Sequence, residues 1–302
     1  MSLRLKLYSI GSRIFLRTTF SRVQDAALGG ARLDRMAKLV GALPPYTLAL
    51  SRVLGDRPGH WLEGRGSRKD RIVLYFHGGA YFAGSGKTHA PMLAYLSHLA
   101  RVPVFAQDYR LLQEAPCPAA HEDAVAAWDD LISRGWEPND IAVGGDSAGG
   151  GLALALLSTL CLRGTPPACA FAMSPWTDLT LSGTSIKTRA KRDPVLPSNR
   201  IAEAAEAYLG ALAPDDPRAS PLFASFPNSP PVFLQVGSPE ILEDDTYRIA
   251  NRLREHGADV VVETWDGAPH GWQLGYAWLP EARSALKSIA NFVQSTFESA
   301  RR

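Results

Sequence analysis

Residues 141–160, IAVGGDSAGGGLALALLSTL, pass from a short apolar segment through a glycine-rich turn into a long run of helix-forming residues. The turn, Gly145–Gly149, reads GDSAG and matches the pattern G-x-S-x-G. On a tight turn between a strand and a helix, small neighbours avoid clashes and leave the serine hydroxyl exposed. The N-terminus of the following helix also favours negative charge that develops beside this hydroxyl. We therefore predict that Ser147 is a nucleophile at the end of a buried strand.

The rest of the chain alternates short apolar segments with longer helical segments, which predicts a doubly wound, mostly parallel α/β sheet. Runs such as IVLYF (72–76) suit strands buried on both faces of a parallel sheet. The predicted strands are 71–76, 102–107, 141–145, 169–173, 232–236 and 259–264, with an antiparallel edge strand at 60–63. The predicted helices are 88–100, 119–134, 148–163, 240–256 and 281–298. Active sites in such sheets form at the carboxyl ends of the strands.

Two stretches interrupt this alternation, and we predict that both form a helical cap over the sheet. Residues 1–55 are predicted to be cap helices that end at Pro44-Pro45, and residues 183–226 a proline-rich segment with one helix at 199–212. The catalytic core is then assigned to 56–182 and 227–302.

A second glycine turn, His77-Gly78-Gly79-Ala80, follows the predicted strand at 71–76. Acyl transfer passes through a tetrahedral oxyanion, which needs backbone N–H donors that no side chain obstructs. We predict that the amides of Gly78, Gly79 and Ala148 are these donors. His77 itself is predicted to be a structural hydrogen-bonding residue.

A serine nucleophile needs a base, and the base needs an acid that orients it. His270 follows the strand predicted at 259–264, in a Gly-Ala-Pro-His-Gly loop, and is the predicted base. Glu240 lies three residues after Gly237, where another predicted strand ends, and is the predicted acid. Asp244 and Asp245 are alternatives, but they lie a turn further into the following helix. The order Ser147, Glu240, His270 is that of nucleophile, acid and histidine in α/β-hydrolases.

The amino-acid composition indicates which ligands and partners the protein is not expected to bind. The formal charge of +2 and the scattered basic residues do not favour nucleic-acid binding. Three cysteines without close spacing indicate neither a metal site nor a disulfide framework, so we expect no metal or other cofactor and a cytoplasmic location. No apolar run is long enough for a transmembrane segment. Gly84–Thr88 (GSGKT) resembles a phosphate-binding loop, but Tyr81 occupies the position of its first glycine, so nucleotide binding is not expected.

The first 24 residues are basic and contain no Asp or Glu. Their leucines, isoleucines and phenylalanine are interspersed with arginine and lysine, which is typical of an amphipathic helix. We favour a helix packed over the domain. Weak contact of this helix with a membrane surface is the alternative that the sequence leaves open.

The motifs together resemble those of the hormone-sensitive-lipase-like family of bacterial esterases. The resemblance extends from about Val73 to Gln273 and rests on HGGAYFAGS (77–85), DYRLLQEAPCPAAHEDA (108–124), GDSAGG (145–150), SPWTDLT (174–180), SPLFA (220–224), VGSPEILEDD (236–245) and HGWQ (270–273). The resemblance implies an α/β-hydrolase fold with a helical cap and a small-molecule ester as substrate. A homodimer is also consistent with this family. The resemblance also implies short to medium acyl chains rather than emulsified long-chain fats.

The chain departs from the family pattern at several positions. Ala80 replaces a usual third glycine, Leu112 and Gln113 alter the usual DYRLAPE turn, and Glu240 stands where most members have aspartate. Asp193 matches a recurring family position and is predicted to be structural.

We predict a serine carboxylesterase that works through an acyl-enzyme intermediate. An apolar substrate pocket is predicted from large apolar residues near the site, namely Tyr81, Phe82, Trp176, Leu196 and Trp272. An amidase, thioesterase or lactonase with the same triad is not separated from an esterase by these motifs. A catalytically silent ligand-binding protein on the same scaffold is the alternative from another class.

Overall fold

The computed structural model describes residues 1–22 and 41–299. Its strands form one sheet in the order β1-β2-β4-β3-β5-β6-β7-β8. They are β1 (Leu48–Leu54), β2 (Arg57–Glu63), β3 (Ile72–Phe76), β4 (Val104–Gln107), β5 (Ile141–Asp146), β6 (Cys169–Met173), β7 (Val232–Gly237) and β8 (Val260–Trp265). Pairing is antiparallel from β1 to β2 and from β2 to β4, and parallel across the rest of the sheet.

Helices cover both faces of the sheet. They are α1 (Leu3–Ser12), which continues through a π-helical turn (Arg13–Arg17) into α2 (Thr18–Arg22), then α3 (Gly86–Ala100), α4 (Ala119–Ser133), α5 (Ser147–Arg163), α6 (Ser185–Thr188), α7 (Ile201–Leu209), α8 (Glu243–Glu255) and α9 (Pro280–Ser299). Val73 and Tyr75 of β3 pack with α3 and α9 on one face, whereas Leu74 and Phe76 pack with α4 and α5 on the other. This alternation explains why IVLYF is apolar at every position.

The predicted α/β-hydrolase architecture is confirmed. Each predicted strand overlaps an observed one. The strand predicted at 60–63 is antiparallel to β4 as expected, but it is not at the edge of the sheet, because β1 pairs with its other side. The helix predicted at 240–256 begins later, at Glu243, and the helix predicted at 199–212 is shorter. Glu240 therefore lies in the turn between β7 and α8.

The assignment of residues 1–55 to the cap is wrong at Leu48–Leu54, which form β1 of the sheet. This edge strand is mostly exposed, so it lacks the apolar alternation that marks a half-buried strand. Gly55 and Asp56 join it to β2 with φ values of +57° and +63°, as in a two-residue hairpin. The part of the helical prediction at 23–40 lies outside the described residues.

The GSGKT segment begins α3. The Ser85 hydroxyl accepts a hydrogen bond from the Thr88 amide, and the Thr88 hydroxyl accepts one from the Ser85 amide. This reciprocal capping satisfies two of the helix's otherwise free N–H groups and explains the motif without a phosphate. No helix within the described ranges is long and apolar enough to cross a bilayer.

Candidate active site

Ser147 lies on the sharp turn between β5 and α5, with φ at +52°. That left-handed conformation is unfavourable for serine and is characteristic of strained functional turns. Gly149 is required there, because a Cβ at this position would collide with the carbonyl oxygens of Phe76 and His77. The turn therefore presents the serine side chain at the carboxyl end of β5, beside the glycine turn that follows β3.

Three side chains from separate loops form one hydrogen-bonded chain. His270 Nε2 lies 2.8 Å from Ser147 Oγ, and His270 Nδ1 lies 2.6 Å from Glu240 Oε2. Because a carboxylate only accepts, Nδ1 carries the hydrogen toward Glu240, which leaves Nε2 to accept from the serine hydroxyl. The arrangement is that of a nucleophile, its base and an orienting acid.

Two effects of the surroundings shift the pKa of His270 in opposite directions. Burial lowers the pKa of the imidazole, whereas the Glu240 carboxylate raises it by its charge and its hydrogen bond, with further contributions from Asp193 and Asp146. The net result is a pKa raised above the usual value for histidine. The site thus favours the protonated form of the His270 imidazole.

The second oxygen of Glu240 is held by two donors. Glu240 Oε1 accepts from the Ser174 hydroxyl at 2.7 Å and from the Gly237 amide at 2.6 Å. The carboxylate is fully buried, so these bonds take the place of water. Ser174 has φ at +47° at the end of β6, and the motif analysis did not single it out.

The two alternative acids have other partners. Asp245 accepts from the Thr177 and Asp178 amides at 2.7 and 2.9 Å, and burial raises its pKa to about 7. Asp244 accepts from the Thr184 hydroxyl at 2.7 Å, away from His270. Neither carboxylate is bonded to the imidazole. The geometry thus selects Glu240 from the three candidates.

The Gly78 amide donates to Asp146 Oδ1 at 2.8 Å, which contradicts the prediction that it holds an oxyanion. The same carboxylate oxygen accepts from the Tyr75 hydroxyl at 2.6 Å. Burial raises the pKa of Asp146, but the nearby His89 and these hydrogen bonds lower it to a net value below the usual range. The anion therefore fixes the turn rather than leaving its first amide free.

The amides of Gly79 and Ala148 have no acceptor among the described residues, and neither has that of Ala80. Gly79 has φ at +131° and Ala80 has φ at +50°, so the backbone turns sharply here. Ala80 follows the two glycines directly, and its position in the motif is the signal that could have suggested it as a donor.

His77 is buried below this turn. Its ring stacks on Tyr109 at 4.4 Å, and its Nδ1 lies 2.9 Å from the Gly78 carbonyl oxygen. Burial lowers its pKa to about 3, so the ring is neutral at physiological pH. This environment agrees with a structural residue rather than a base.

Two cavities meet at Ser147. The larger, about 1100 Å³, is lined by α1 and its continuation, by the Gly78–Ala80 turn and by His270. The smaller, about 210 Å³, is lined by Phe82, Trp176, Leu196 and the side of α7, and His270 does not line it. Ser147, Ala80, Phe20 and Leu196 contribute to both. Ser147 therefore lies between a small and a large apolar chamber.

Two of the predicted pocket residues lie elsewhere. Tyr81 is buried and stacks on Tyr208 at 3.6 Å, and Trp272 is buried in the core beside Trp265. Neither residue lines either cavity, because both rings are packed within the protein core. Phe82, Trp176 and Leu196 do line the smaller cavity.

Asp193 connects the second cap segment to the site. Its Oδ1 accepts from the amides of Val195 and Leu196, and its Oδ2 accepts from the Ile241 amide at 2.9 Å. Burial raises its pKa. The residue therefore holds Leu196 next to the acid-bearing turn, which agrees with the structural role predicted for it.

The altered DYRLLQE turn also contacts the site. The Leu112 amide donates to the Tyr81 carbonyl, and the Gln113 side-chain amide donates to the Phe82 carbonyl at 2.6 Å. Gln113 thus supports the backbone just after the Gly78–Ala80 turn. Within residues 1–22 and 41–299, no cluster of three or more His, Cys, Asp or Glu side chains could hold a metal ion.

The chain is similar to known proteins in both sequence and fold. Residues 73–274 match a family defined by the alpha/beta hydrolase fold. An acetyl-hydrolase of Streptomyces hygroscopicus is 38% identical over 87% of each chain, and an esterase of Acinetobacter venetianus is 34% identical over 87% of each. The crystal structure of an esterase from the bacterial hormone-sensitive lipase family superposes with a TM-score of 0.92 at 36% identity, over 98% of this chain and 99% of that one.

The fold and the Ser–His–Glu arrangement define an α/β-hydrolase. The chain belongs to this fold family and, within it, to the bacterial hormone-sensitive-lipase family of serine carboxylesterases.

Proposed function

We propose that this protein hydrolyses esters of short to medium carboxylic acids, with Ser147 as nucleophile, His270 as general base and acid, and Glu240 as the orienting acid. The observation that supports these roles is the hydrogen-bonded chain from Ser147 Oγ through the imidazole to the buried carboxylate. The small-molecule ester is the only reactant required besides water.

The mechanism is two-step acyl transfer. His270 Nε2 takes the proton of Ser147 as Oγ attacks the ester carbonyl carbon, and the amides of Gly79, Ala80 and Ala148 donate to the oxyanion. The imidazolium then protonates the leaving alcohol, and the acyl group stays on the serine. Water, deprotonated by His270, attacks the acyl-enzyme and releases the acid.

The two cavities suggest how the ester is oriented. Because the leaving alcohol receives its proton from His270, we assign the alcohol to the larger cavity, which His270 lines. The acyl chain then occupies the smaller cavity beside Trp176 and α7. Its 210 Å³ corresponds to roughly seven water volumes, which favours the shorter acyl chains.

A cytoplasmic location and the division into a core and two cap segments belong to the same proposal. The three cysteines are free and buried, which supports a reducing compartment. Residues of α1, α2 and α7 line the cavities above Ser147, which supports a cap built from both segments.

Hydrolysis of p-nitrophenyl butyrate by the wild type and by Ser147→Ala tests the proposal. We expect a loss of about a thousandfold or more in kcat, as for deletion of other serine nucleophiles. Ser133→Ala, an exposed serine on α4, is the matched control and should be unaffected. Circular dichroism would verify that all three are folded. Undiminished turnover by folded Ser147→Ala would refute the role of Ser147, and an inert wild type would favour the ligand-binding alternative.

A further inference from the structure

The helical segment Leu3–Arg22 carries a row of exposed aliphatic side chains. Leu3, Leu7, Ile10 and Ile14, which we call the apolar stripe, are 72%, 61%, 57% and 58% exposed. Their spacing of four, three and four residues aligns them on one side of a helix. Leu5 and Ser12, on the opposite side, are buried. A contiguous apolar row aimed directly away from the protein is uncommon on a surface that contacts only water.

Positive charge adjoins this row. Lys6 and Arg13 lie on the same side of this helical segment, two turns apart. The Arg13 guanidinium donates to the carbonyls of Lys191 and Arg192 at 3.1 and 2.8 Å. We call Lys6, Arg13, Lys191 and Arg192 the basic flank. Within the described part of the chain, none of these four side chains forms an ion pair. Residues 1–24 contain no Asp or Glu that could neutralise them.

We propose that the apolar stripe and the basic flank dock on an anionic lipid surface. An exposed aliphatic face enters the boundary between headgroups and acyl chains, while neighbouring lysines and arginines are attracted to anionic headgroups. A second copy of this chain fits less well, because a symmetric contact along the stripe would bring two basic flanks together. Because the net charge of the chain is only +2, the protein as a whole is attracted weakly to an anionic surface. The basic flank would therefore decide which side of the protein faces the lipid.

This docking surface is the outer side of a cavity wall. Tyr8, Gly11 and Ser12 of α1 line the larger cavity, and Leu7 and Phe15 are both exposed and part of its lining. A lipid surface at the stripe would therefore lie at the rim of the chamber that we assign to the alcohol. Substrates dissolved in that surface would reach Ser147 without crossing bulk water.

Co-sedimentation with vesicles measures this binding without any contribution from hydrolysis, if Ser147→Ala protein is used throughout. We expect the protein to bind vesicles of phosphatidylcholine mixed with phosphatidylglycerol, and to bind pure phosphatidylcholine much more weakly. Added salt should reduce binding to the anionic vesicles, because the attraction is partly electrostatic.

Two triple variants separate the contributions. Leu3→Gln/Ile10→Gln/Ile14→Gln alters stripe residues that do not line the cavity, and should weaken binding at least tenfold. Lys6→Gln/Lys191→Gln/Arg192→Gln removes three charges and should weaken binding about a hundredfold. The matched controls are Leu162→Gln, a leucine 65% exposed on α5, and Arg52→Gln/Lys69→Gln/Lys287→Gln, which removes three exposed charges elsewhere. Both controls should bind as the parent does.

The proposal is overturned if anionic vesicles bind no better than neutral ones, or if the test variants bind as tightly as their controls. It is also overturned if light scattering detects a dimer that the stripe variant abolishes while vesicles are not bound, because the stripe would then contact a second copy. Esterase activity on a soluble ester, measured with an intact Ser147, tests the proposed function separately.

Discussion

At the scale of single residues, the glutamate at position 240 is explained by the turn that carries it. Glu240 precedes α8, and its amide donates to the Gly237 carbonyl, so its backbone lies close to the end of β7. The longer side chain then reaches His270 while its other oxygen returns to the Gly237 amide. The turn therefore holds the Glu240 backbone at a position from which the longer side chain contacts both His270 and Gly237.

The pH profile should depend on this carboxylate. Catalysis needs neutral His270, so kcat/KM should fall as the pH drops below the raised pKa of the imidazole. Glu240→Gln removes the main charge that opposes the effect of burial, so the pKa should fall and the acid limb should move to lower pH. Loss of orientation should also reduce kcat about a thousandfold or more.

A pH profile of kcat/KM for the wild type and Glu240→Gln measures both effects. Asp244→Asn, which alters a rival carboxylate bonded to Thr184, is the control and should keep the wild-type profile. An acid limb that stays in place in Glu240→Gln would contradict this account of the His270 pKa.

Ser174 is predicted to position the acid. Ser174→Ala removes one of two donors to the buried Glu240 Oε1 and should lower the free energy of unfolding by about 1–3 kcal/mol. It should also reduce kcat about tenfold, because the carboxylate loses orientation. Ser158→Ala removes a buried hydroxyl on α5 that donates to the Ser225 carbonyl, and should reduce stability without changing kcat. Equal effects of the two variants on kcat would assign Ser174 a merely structural role.

That Ser147, Glu240 and His270 lie together could be predicted from the sequence, because each follows a recognisable strand. The donors around them could not, since pairing of the Gly78 amide with Asp146 joins residues 68 apart and leaves no local signal. The prediction that Tyr81 and Trp272 line the pocket was wrong because it rested on their position in the sequence alone. An aromatic residue near the site in sequence can as easily fill the core, and only the tertiary contacts decide.

At the scale of single elements, α7 should set the acyl-chain preference. Ala204 lines the smaller cavity, so Ala204→Leu should fill part of it and lower kcat/KM for p-nitrophenyl butyrate relative to p-nitrophenyl acetate, about tenfold in the ratio. Ala202→Leu adds the same volume to an exposed position of the same helix and should leave the ratio unchanged. An unaltered ratio in Ala204→Leu would argue against assigning the acyl chain to this cavity.

Elements buried on two faces were predictable, whereas an exposed one was not. The strands β3, β5, β6 and β7 are apolar nearly throughout because helices cover both sides. Leu48–Leu54 has solvent on most of its surface, so its composition does not distinguish a strand from a helix. Its one local signal was Gly55-Asp56, a pair suited to the left-handed conformations of a hairpin turn.

At the scale of the whole molecule, Arg17 joins the two segments that we propose as a cap. Its guanidinium donates to the carbonyls of Asp193 and Leu196 at 2.7 Å each and to that of Ala190 at 2.9 Å. Arg17→Ala should therefore loosen the wall of the larger cavity. We expect KM for p-nitrophenyl butyrate to rise about tenfold with a smaller change in kcat, because the catalytic hydrogen bonds are untouched.

Limited proteolysis should detect the same loosening as faster cleavage within the first 22 residues of Arg17→Ala. Lys6→Ala, which removes an exposed cation from the same helical segment, is the control for both measurements. Unchanged KM and unchanged cleavage in Arg17→Ala would show that the segments are held by other contacts.

The larger cavity itself was beyond prediction from the sequence. Its walls come from the first 20 residues, from the Gly78–Ala80 turn and from residues 270–279, and no periodicity indicates that these meet. Many of the lining residues are leucines, glycines and aromatics, which occur throughout the chain, so their residue types do not indicate that they line a cavity.

The wall formed by α1 also has a consequence for the order of synthesis. The Ser2 amide donates to Glu281 Oε1, so two residues 279 positions apart meet at one end of the helix. During translation, residue 2 leaves the ribosome long before residue 281 exists, and so do the residues that bind the carbonyls at 190–196. The carbonyls at 190–196 precede β7 and β8 in the chain, whereas Glu281 follows all eight strands. Every strand can therefore be synthesised before the contact between Ser2 and Glu281 forms, and this end of the cavity wall is fixed only after residue 281 has left the ribosome.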